Sequence, residues 1–418
     1  MSRQPEPTIT RRQLAENDAA DPLAHTRAAY SLPPGVIYLD GNSLGALPKA
    51  TAERVADLVK RQWGQDLIRS WNSNDWIGAS ARVGRKISTL IGAEGDEVIV
   101  TDSTSVNLFK LACGALSLRP GRRVVLTEPG NFPTDLYMLQ GLERLLDGRM
   151  ELRVRARDDL PGAIDTDTAA VILTHVHYKT GECWPMADIT ARAHAAGALA
   201  LWDLSHSAGA LPVDLGGADA DLAVGCGYKY LNGGPGAPSF VYVARRWQDR
   251  IATPLTGWMG HATPFDFDDD YRPAADIRRQ LCGTPVMLGL TALECGVDGF
   301  AGLDMAALAA KGRAMGDLFI ALVETRCPRD GLELASPRDA DRRGSHVSFR
   351  HPKGYEIMQA LIARGVIGDF RAPDILRFGF TPLYLSFVEV WDAVETLRDV
   401  LETRAFLDPR FAQRAAVT

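Results

Sequence analysis

The sequence predicts an α/β fold, a mostly parallel sheet flanked by helices, with a smaller α+β domain toward the C-terminal end. Short apolar runs rich in Val, Ile and Leu recur through the middle of the chain, and helix-length segments separate them. Apolar runs of this length read as strands buried on both faces, and helical connections between them imply parallel pairing. After about residue 290 the texture changes to long helical patterns with few strands. The expected division is an N-terminal segment (1–55) packing near the small domain, a large α/β domain (56–290) and a small α+β domain (291–418).

The elements follow in order. "DEVIV" (96–100) leads into "TDSTSVNLFKLACGAL", and "RRVVLTE" (122–128) into "PTDLYMLQGLERLL". "AAVILTH" (169–175) precedes the Ala-rich "MADITARAHAAG", and "ALALWD" (198–203) and "DLAVGC" (221–226) are two further strands. Beyond them, "MAALAAKGRAMGDLFIALVETR" (305–326) predicts one long helix, "GSHVSFRH" (344–351) a strand, and "YEIMQALIARG" (355–365) a helix closed by Gly365. "DILRFGFTPLY" is strand-like and "FVEVWDAVETLRDVLETR" (387–404) is a final amphipathic helix.

Composition excludes several function classes. The 418 residues are 46% hydrophobic and 23% charged, ample for a core, and the net charge of −6 leaves no footprint for nucleic acid or an anionic membrane. No apolar run approaches the roughly 20 residues that span a bilayer. The stretch "MSRQPEPTITRRQLAEND" has no apolar signal core, so a cytoplasmic location is expected. The six cysteines (Cys113, Cys183, Cys226, Cys282, Cys295, Cys327) are scattered without a CxxC pair, which fits reduced thiols better than disulfides or zinc.

In open parallel sheets ligands sit beyond the carboxyl ends of the strands. The segments that follow the apolar runs are "TDSTS" (101–105), "EPGNFPTD" (128–135), "THVHYKTG" (174–181), "DLSHS" (203–207) and "GYKYLNGG" (227–234). Ser103, Thr104 and Ser105 stand where a helix begins. They read either as an N-cap or as hydroxyls of an anion site suited to phosphate. No GxxxxGK[ST] is present, so a nucleotide P-loop is not supported. Asp203 ends a buried strand and needs a positive partner, either an arginine or the protonated nitrogen of a pyridine cofactor.

Lys229 lies 26 residues after Asp203, beyond one more strand, which places both at the same edge of the sheet. An amine in an apolar setting becomes a nucleophile. Lysine, distant acid and phosphate cradle together form the arrangement that pyridoxal 5'-phosphate requires. Phe132 is either core or a ring stacked on the cofactor, and Thr134 and Asp135 either cap a helix or contact the cofactor. His175 and His177 share a face without a third metal ligand nearby, so no metal is expected. His206 reads as a hydrogen-bonding group of the cofactor site. The acidic run "DFDDD" (266–270) reads as a solvated loop.

With these residues in place, the sequence resembles the kynureninase family of fold type I pyridoxal-phosphate enzymes, in the aspartate aminotransferase superfamily. The matching stretches are "YLDGNSLG" (38–45), "SVNL" (105–108), "NFPTD" (131–135), "YKTG" (178–181), "DLSHSAG" (203–209), "YKYLNGGPG" (228–236) and "LRFGFTPLY" (376–384), in order through nearly the whole chain. The resemblance implies a homodimer that cleaves L-kynurenine with water to anthranilate and L-alanine, in tryptophan catabolism, the kynurenine pathway and NAD biosynthesis. It implies that Lys229 holds the cofactor covalently, Asp203 pairs with its ring nitrogen and Phe132 stacks on its ring. Thr104, Ser105, Tyr228 and Trp258 would help hold the phosphate, and Pro133, Thr134, Asp135, Thr174, His206 and Thr284 would complete the cofactor site. Tyr228 is also a candidate acid beside the lysine. Arg377 would grip the substrate α-carboxylate, for which a planar guanidinium is suited. Asn42, Trp71, Gly283 and Thr284 would line the substrate, and the flat apolar face of Trp71 favours an unhydroxylated ring over 3-hydroxykynurenine.

Two other readings compete. A desulfurase needs a reactive cysteine in a late mobile loop, and Cys327 in "ETRCPRDG" is loop-like but has no companion feature. A pyridoxal-phosphate-binding regulator has no DNA-binding appendage here to support it.

Overall fold

The structure, a computed structural model, describes residues 9–328 and 331–414. Residues 1–8 of the N-terminal stretch and Arg329 and Asp330 of "ETRCPRDG" lie outside the described residues. The chain divides into two compact units. The large one comprises Leu47–Tyr178 and Cys183–Met305; the small one comprises Met1–Ala46, Lys179–Glu182 and Ala306–Thr418. Residues 47–55, grouped above with the N-terminal segment, and 291–305, grouped above with the C-terminal domain, thus fold with the large unit.

The large unit is built on a seven-stranded sheet: β1 (Val98–Val100), β2 (Val124–Thr127), β3 (Glu151–Val154), β4 (Thr168–Thr174), β5 (Leu199–Asp203), β6 (Leu222–Gly225) and β7 (Phe240–Val243). Their order is β1-β7-β6-β5-β4-β2-β3. The pairs β6–β5, β5–β4, β4–β2 and β2–β3 are parallel, whereas β7 runs antiparallel to both β6 and β1. Every residue of β1, β2, β4, β5, β6 and β7 is buried, as helices on both faces demand.

Helix α1 (Thr104–Leu118) follows β1, α2 (Pro133–Leu146) follows β2, and α3 (Met186–Ala195) lies between β4 and β5. Ser103 caps α1 by accepting the Val106 amide, and Pro133 begins α2, where its missing N–H costs nothing. Leu108, Leu111, Ala112 and Ala115 of α1 pack with Ile172, Leu201 and Val224 of the sheet to form the core. The connections put the carboxyl ends of β2, β4, β5 and β6 along one edge, and there the helices α1 and α2 begin.

The small unit carries an antiparallel sheet of β8 (Glu333–Leu334), β9 (His346–Arg350), β10 (Asp369–Arg371) and β11 (Ile375–Gly379), in the order β8-β9-β11-β10. Long helix Met305–Arg326 and the final helix Phe387–Glu402 occupy the predicted segments, the latter opened by a Ser386–Glu389 capping box. Ile37–Tyr38 pairs in parallel with Val366–Ile367, directly after Gly365 turns the chain at φ +84. Among the described residues no helix is long and apolar enough to cross a membrane.

One ion pair staples α3 to the sheet. His194 Nε2 lies 2.8 Å from Asp221 Oδ2, which also accepts the Ala200 amide, while Asp221 Oδ1 accepts Trp247 Nε1 and Arg246. The hydrogen bond and charge of Asp221 hold His194 above its ordinary value. Burial pushes Asp221 up, but His194, Ala200 and Trp247 outweigh it and bring the carboxyl below the usual range. A histidine raised on folding stabilises fully below its unfolded value of about 6.5, and that contribution is lost as pH rises through the folded value. Replacing His194→Ala should therefore lower Tm by a few degrees at pH 6 and by distinctly less at pH 9; equal losses at both would show that the pair does not couple folding to the proton.

Candidate active site

The carboxyl ends of β4 and β5 put Thr174 and Asp203 side by side as register partners. Asp203 is buried, and its Oδ1 accepts both the amide (2.8 Å) and the hydroxyl (2.6 Å) of Ser205. Both donors fall on one oxygen and leave Oδ2 for a ligand. Beside it, Asp135 at the start of α2 accepts Thr174 Oγ1 at 3.0 Å through Oδ2, and its buried Oδ1 has no hydrogen-bond partner. Thr174 also donates to the Asn131 amide oxygen, and Asn131 Nδ2 is buried with no partner.

Lys229 follows β6 and is itself buried, its Nζ 3.0 Å from His206 Nε2. The ammonium lies 5.6 Å from the centre of the Phe132 ring and 5.8 Å from that of Tyr228. The glycines of its loop allow this approach. A Cβ on Gly227 would stand 2.4 Å from the Pro238 carbonyl, and Gly234 and Gly236 take φ +77. Phe132 stays 39% exposed, so its face is not spent on the core.

The electrostatics separate the two carboxyls. Burial raises Asp135 well above the usual carboxylate range and the Asp203 charge raises it further; Thr174 and Lys229 only partly oppose this. Burial raises Asp203 as well, but the Ser205 donors and Lys229 pull it back. Both carboxyls are thus pushed up by burial, Asp135 the more strongly, while the Ser205 donors favour the charged form of Asp203.

At the helix ends, Ser105 Oγ and Thr134 Oγ1 lie 2.6 Å apart, which links the starts of α1 and α2. Thr104 Oγ1 donates to Ser239 Oγ at 3.4 Å. Ser103 spends its hydroxyl on the cap, so the cap and the candidate anion site divide between neighbours: Ser103 serves the first, Thr104 and Ser105 are placed for the second. Trp258 is 39% exposed and meets Phe265 edge-on. Trp71 packs edge-on against Trp76, and both line a groove of about 450 Å³ with Thr284 and Trp63; Gly283, beside Thr284, is exposed. His177 turns to the Gly130 carbonyl, whereas His175 faces the Trp202 ring, so the two histidines do not act together.

The small unit forms its own cluster. Arg377 is buried on β11; its Nε donates to Asp369 Oδ1 at 2.8 Å, and its Nη2 donates to Asp369 Oδ2 and, at 2.8 Å, to Ser43 Oγ. With its amide oxygen turned to the guanidinium, buried Asn42 accepts Arg377 Nε at 2.9 Å and Nη2 at 3.2 Å.

Sequence reasoning missed Asn131, Ser205, Ser239, Ser43 and Asp369. Each contributes by holding another site residue; Asn131, Ser205 and Ser43 lie inside the stretches "NFPTD", "DLSHSAG" and "YLDGNSLG" without a role being read for them, whereas Ser239 and Asp369 lie outside every such stretch.

The C-terminal part of the chain, residues 308–397, matches the model of the kynureninase C-terminal domain. Over 414 residues it is 54% identical to a kynureninase of Burkholderia mallei (strain ATCC 23344), covering 98% of this chain and all of that one. The kynureninase of Pseudomonas fluorescens is 52% identical over 414 residues, with the same coverage. The chain belongs to the kynureninase family. Kynureninases depend on pyridoxal 5'-phosphate, and solved structures of that fold superpose on this one. Apo cysteine desulfurase from Thermococcus onnurineus NA1 matches with a TM-score of 0.77 at 19% identity, over 91% of this chain and 98% of that one. A C-DES mutant with glycine covalently linked to its PLP cofactor matches with a TM-score of 0.75 at 16% identity, over 94% and 100%.

The residues of this kynureninase-family chain fit the cofactor. A buried amine, a carboxylate with one unspent oxygen, an exposed aromatic face and two helix N-termini bearing hydroxyls match its aldehyde, ring nitrogen, ring and phosphate. The strong upward push of burial on Asp135 and the donors on Asp203 lead to a contrast. Asp135→Asn substitutes one neutral group for another and should shift stability by no more than about 1 kcal/mol. Asp203→Asn should cut turnover by roughly 10²-fold or more while cofactor is retained. Thermal melts and steady-state rates of the two variants decide it, and an Asp203→Asn enzyme of full activity would remove the assignment.

Proposed function

We propose that the chain is a pyridoxal-phosphate-dependent hydrolase that cleaves the Cβ–Cγ bond of L-kynurenine, with water, to anthranilate and L-alanine. The observation that carries this reading is Lys229 held 3.0 Å from His206 on the sheet edge that bears Asp203, in a chain that is 54% identical to a kynureninase from end to end. The bound cofactor supplies an electron sink next to the substrate α-carbon. Lys229 would hold it covalently, Asp203 would keep its ring nitrogen protonated, Phe132 would cover its ring, and Thr104, Ser105, Tyr228 and Trp258 would hold its phosphate.

The remaining work falls to the chain. Lys229 Nζ takes the substrate Cα proton, and His206 steers that amine. Tyr228, whose ring lies beside the Lys229 nitrogen, is the candidate acid for the β-carbon, which keeps the electron pair when the Cβ–Cγ bond breaks and gains a proton to become the alanine methyl group. Arg377 receives the α-carboxylate, with Asp369, Ser43 and Asn42 orienting its planar guanidinium. Trp71, Gly283 and Thr284 would surround the aromatic ring. Trp71 lines a groove with Trp63, Trp76 and apolar side chains and turns a flat apolar face to it, and Thr284 adds only a small hydroxyl, which favours L-kynurenine over its 3-hydroxy form.

A homodimer accounts for the exposed apolar side chains. Trp63 (58%), Ile68 (77%), Val286 (57%) and Leu288 (47%) of the large unit are exposed, and Trp63, Val286 and Leu288 line one groove, more than a monomer ordinarily leaves to water. Cys226 and Cys295, held protonated by burial, suit a cytoplasmic location.

Incubating the purified protein with L-kynurenine should release anthranilate, read by its fluorescence, and borohydride should fix the cofactor to Lys229. Arg377→Ala should keep cofactor absorbance and lose kcat/KM by about 10²-fold or more, the scale of a buried charge-assisted pair. No anthranilate from the wild-type protein would overturn the function. An unchanged kcat/KM in Arg377→Ala would leave that arginine a structural role only.

A further inference from the structure

We propose that Lys110 is a positioning residue that ties together three segments of the phosphate end of the cofactor site: the turn before α1, the loop Gln280–Thr284, and the loop that carries Trp258. Lys110 is fully buried. Its Nζ donates at 2.7 Å to Asp102 Oδ2 and at 2.7 Å to the Gln280 carbonyl. Helical side chains lean toward the helix N-terminus, so Lys110 and Asn107, three residues apart on α1, both reach back over the turn. Asn107 Nδ2 holds the Thr101 carbonyl at 2.7 Å, and Lys110 holds the Asp102 side chain.

Asp102 takes the left-handed conformation, φ 46, and its carbonyl accepts the Ser239 amide at 2.9 Å. Ser239 in turn touches Thr104, so the placement of Thr104 and Ser105 rests on this turn. On the other side, the segment anchored at the Gln280 carbonyl packs on the third loop. The Met259 amide reaches the Cys282 carbonyl at 3.4 Å, and a Cβ on Gly257 would stand 2.1 Å from that same oxygen. One ammonium thus fixes the segments of Thr104, Trp258 and Thr284 at once. A charge in this place is costly: burial lowers the Lys110 pKa, and Asp102 only partly opposes that. An apolar side chain of equal length would fill the space but hold neither segment.

The inference rests on the reading that these segments hold the phosphate, and the experiment separates the two. Apoprotein is titrated by fluorescence with pyridoxal 5'-phosphate and with pyridoxal, which lacks the phosphate. Lys110→Met should lose about tenfold or more in affinity for the phosphorylated form, the scale on which a supporting residue acts, and little for pyridoxal. In Asp102→Asn/Lys110→Met no charge is left unpaired, so Tm should recover while the preference for the phosphorylated form stays low. Lys110→Arg should restore part of it. Wild-type affinities in Lys110→Met, equal loss for both ligands, or affinity that returns with Tm in the double variant would each overturn the tether. Thr104→Ala/Ser105→Ala is the reference. If it lowers the preference and Lys110→Met does not, only the tether falls; if neither lowers it, the phosphate reading falls with it.

Discussion

Two carboxyls and one amine share a desolvated space at the carboxyl ends of β4 to β6, and the large unit is arranged around keeping them there. Parallel pairing brings Thr174 beside Asp203, and the start of α2 delivers Asp135 to the same place. Water cannot solvate these groups, so each requires a protein donor or a counter-charge. Ser205 supplies donors to Asp203, Thr174 supplies one to Asp135, and Lys229 is the cation that both carboxyls feel. Burial pushes Asp203 up, and its Ser205 donors and Lys229 oppose that by favouring the charged form. The charged form is the one a protonated pyridine nitrogen requires, and the donors that favour it are in place before any ligand arrives.

This explains how much of the molecule was legible in the sequence. Strands β2, β4, β5 and β6 are continuous apolar runs, so their period and length announce them. Their carboxyl ends then pointed to Thr174, Asp203 and Lys229 by position alone. Strand β3, "ELRV", is half-buried at the sheet edge, and its alternating polar residues hide it. Strand β7, "FVYV", follows a glycine- and proline-rich loop that draws the eye to punctuation, and it is the strand that breaks the parallel pattern. Lys110 was invisible for a different reason. Among "LFKLACGAL" it reads as the polar position of an amphipathic helix, whereas the fold buries it because Asp102 and the Gln280 carbonyl need a donor, and nothing in linear spacing shows that Gln280 lies 170 residues away.

The small unit repeats the electrostatic device with other residues. Burial pushes Asp369 up, yet the charge and hydrogen bonds of Arg377, with Arg371 and Ser43, hold it below the usual carboxylate range. Asp40 sits in the same cluster. Burial and the Asp369 charge push it up to about 8, and its buried Oδ1 has no hydrogen-bond partner. The motif "YLDGNSLG" contributes Asp40, Asn42 and Ser43, and "LRFGF" contributes Arg377; the sequence showed these stretches but not that Asp369 joins them.

In both units, then, donors converge on one buried carboxylate and favour its charged form, while burial first and the neighbouring carboxylate second push the other up. Asp203 and Asp135 form the first couple, Asp369 and Asp40 the second. The arrangement sets local charge without adding bulk. At neutral pH the cluster around Arg377 counts two guanidinium groups against a single carboxylate, so it retains one positive charge for an incoming anion. An ionised Asp40 would cancel it. At the strand ends the Ser205 donors and the nearby Lys229 both favour the charged form of Asp203, so its side chain is prepared for a positive group of a ligand.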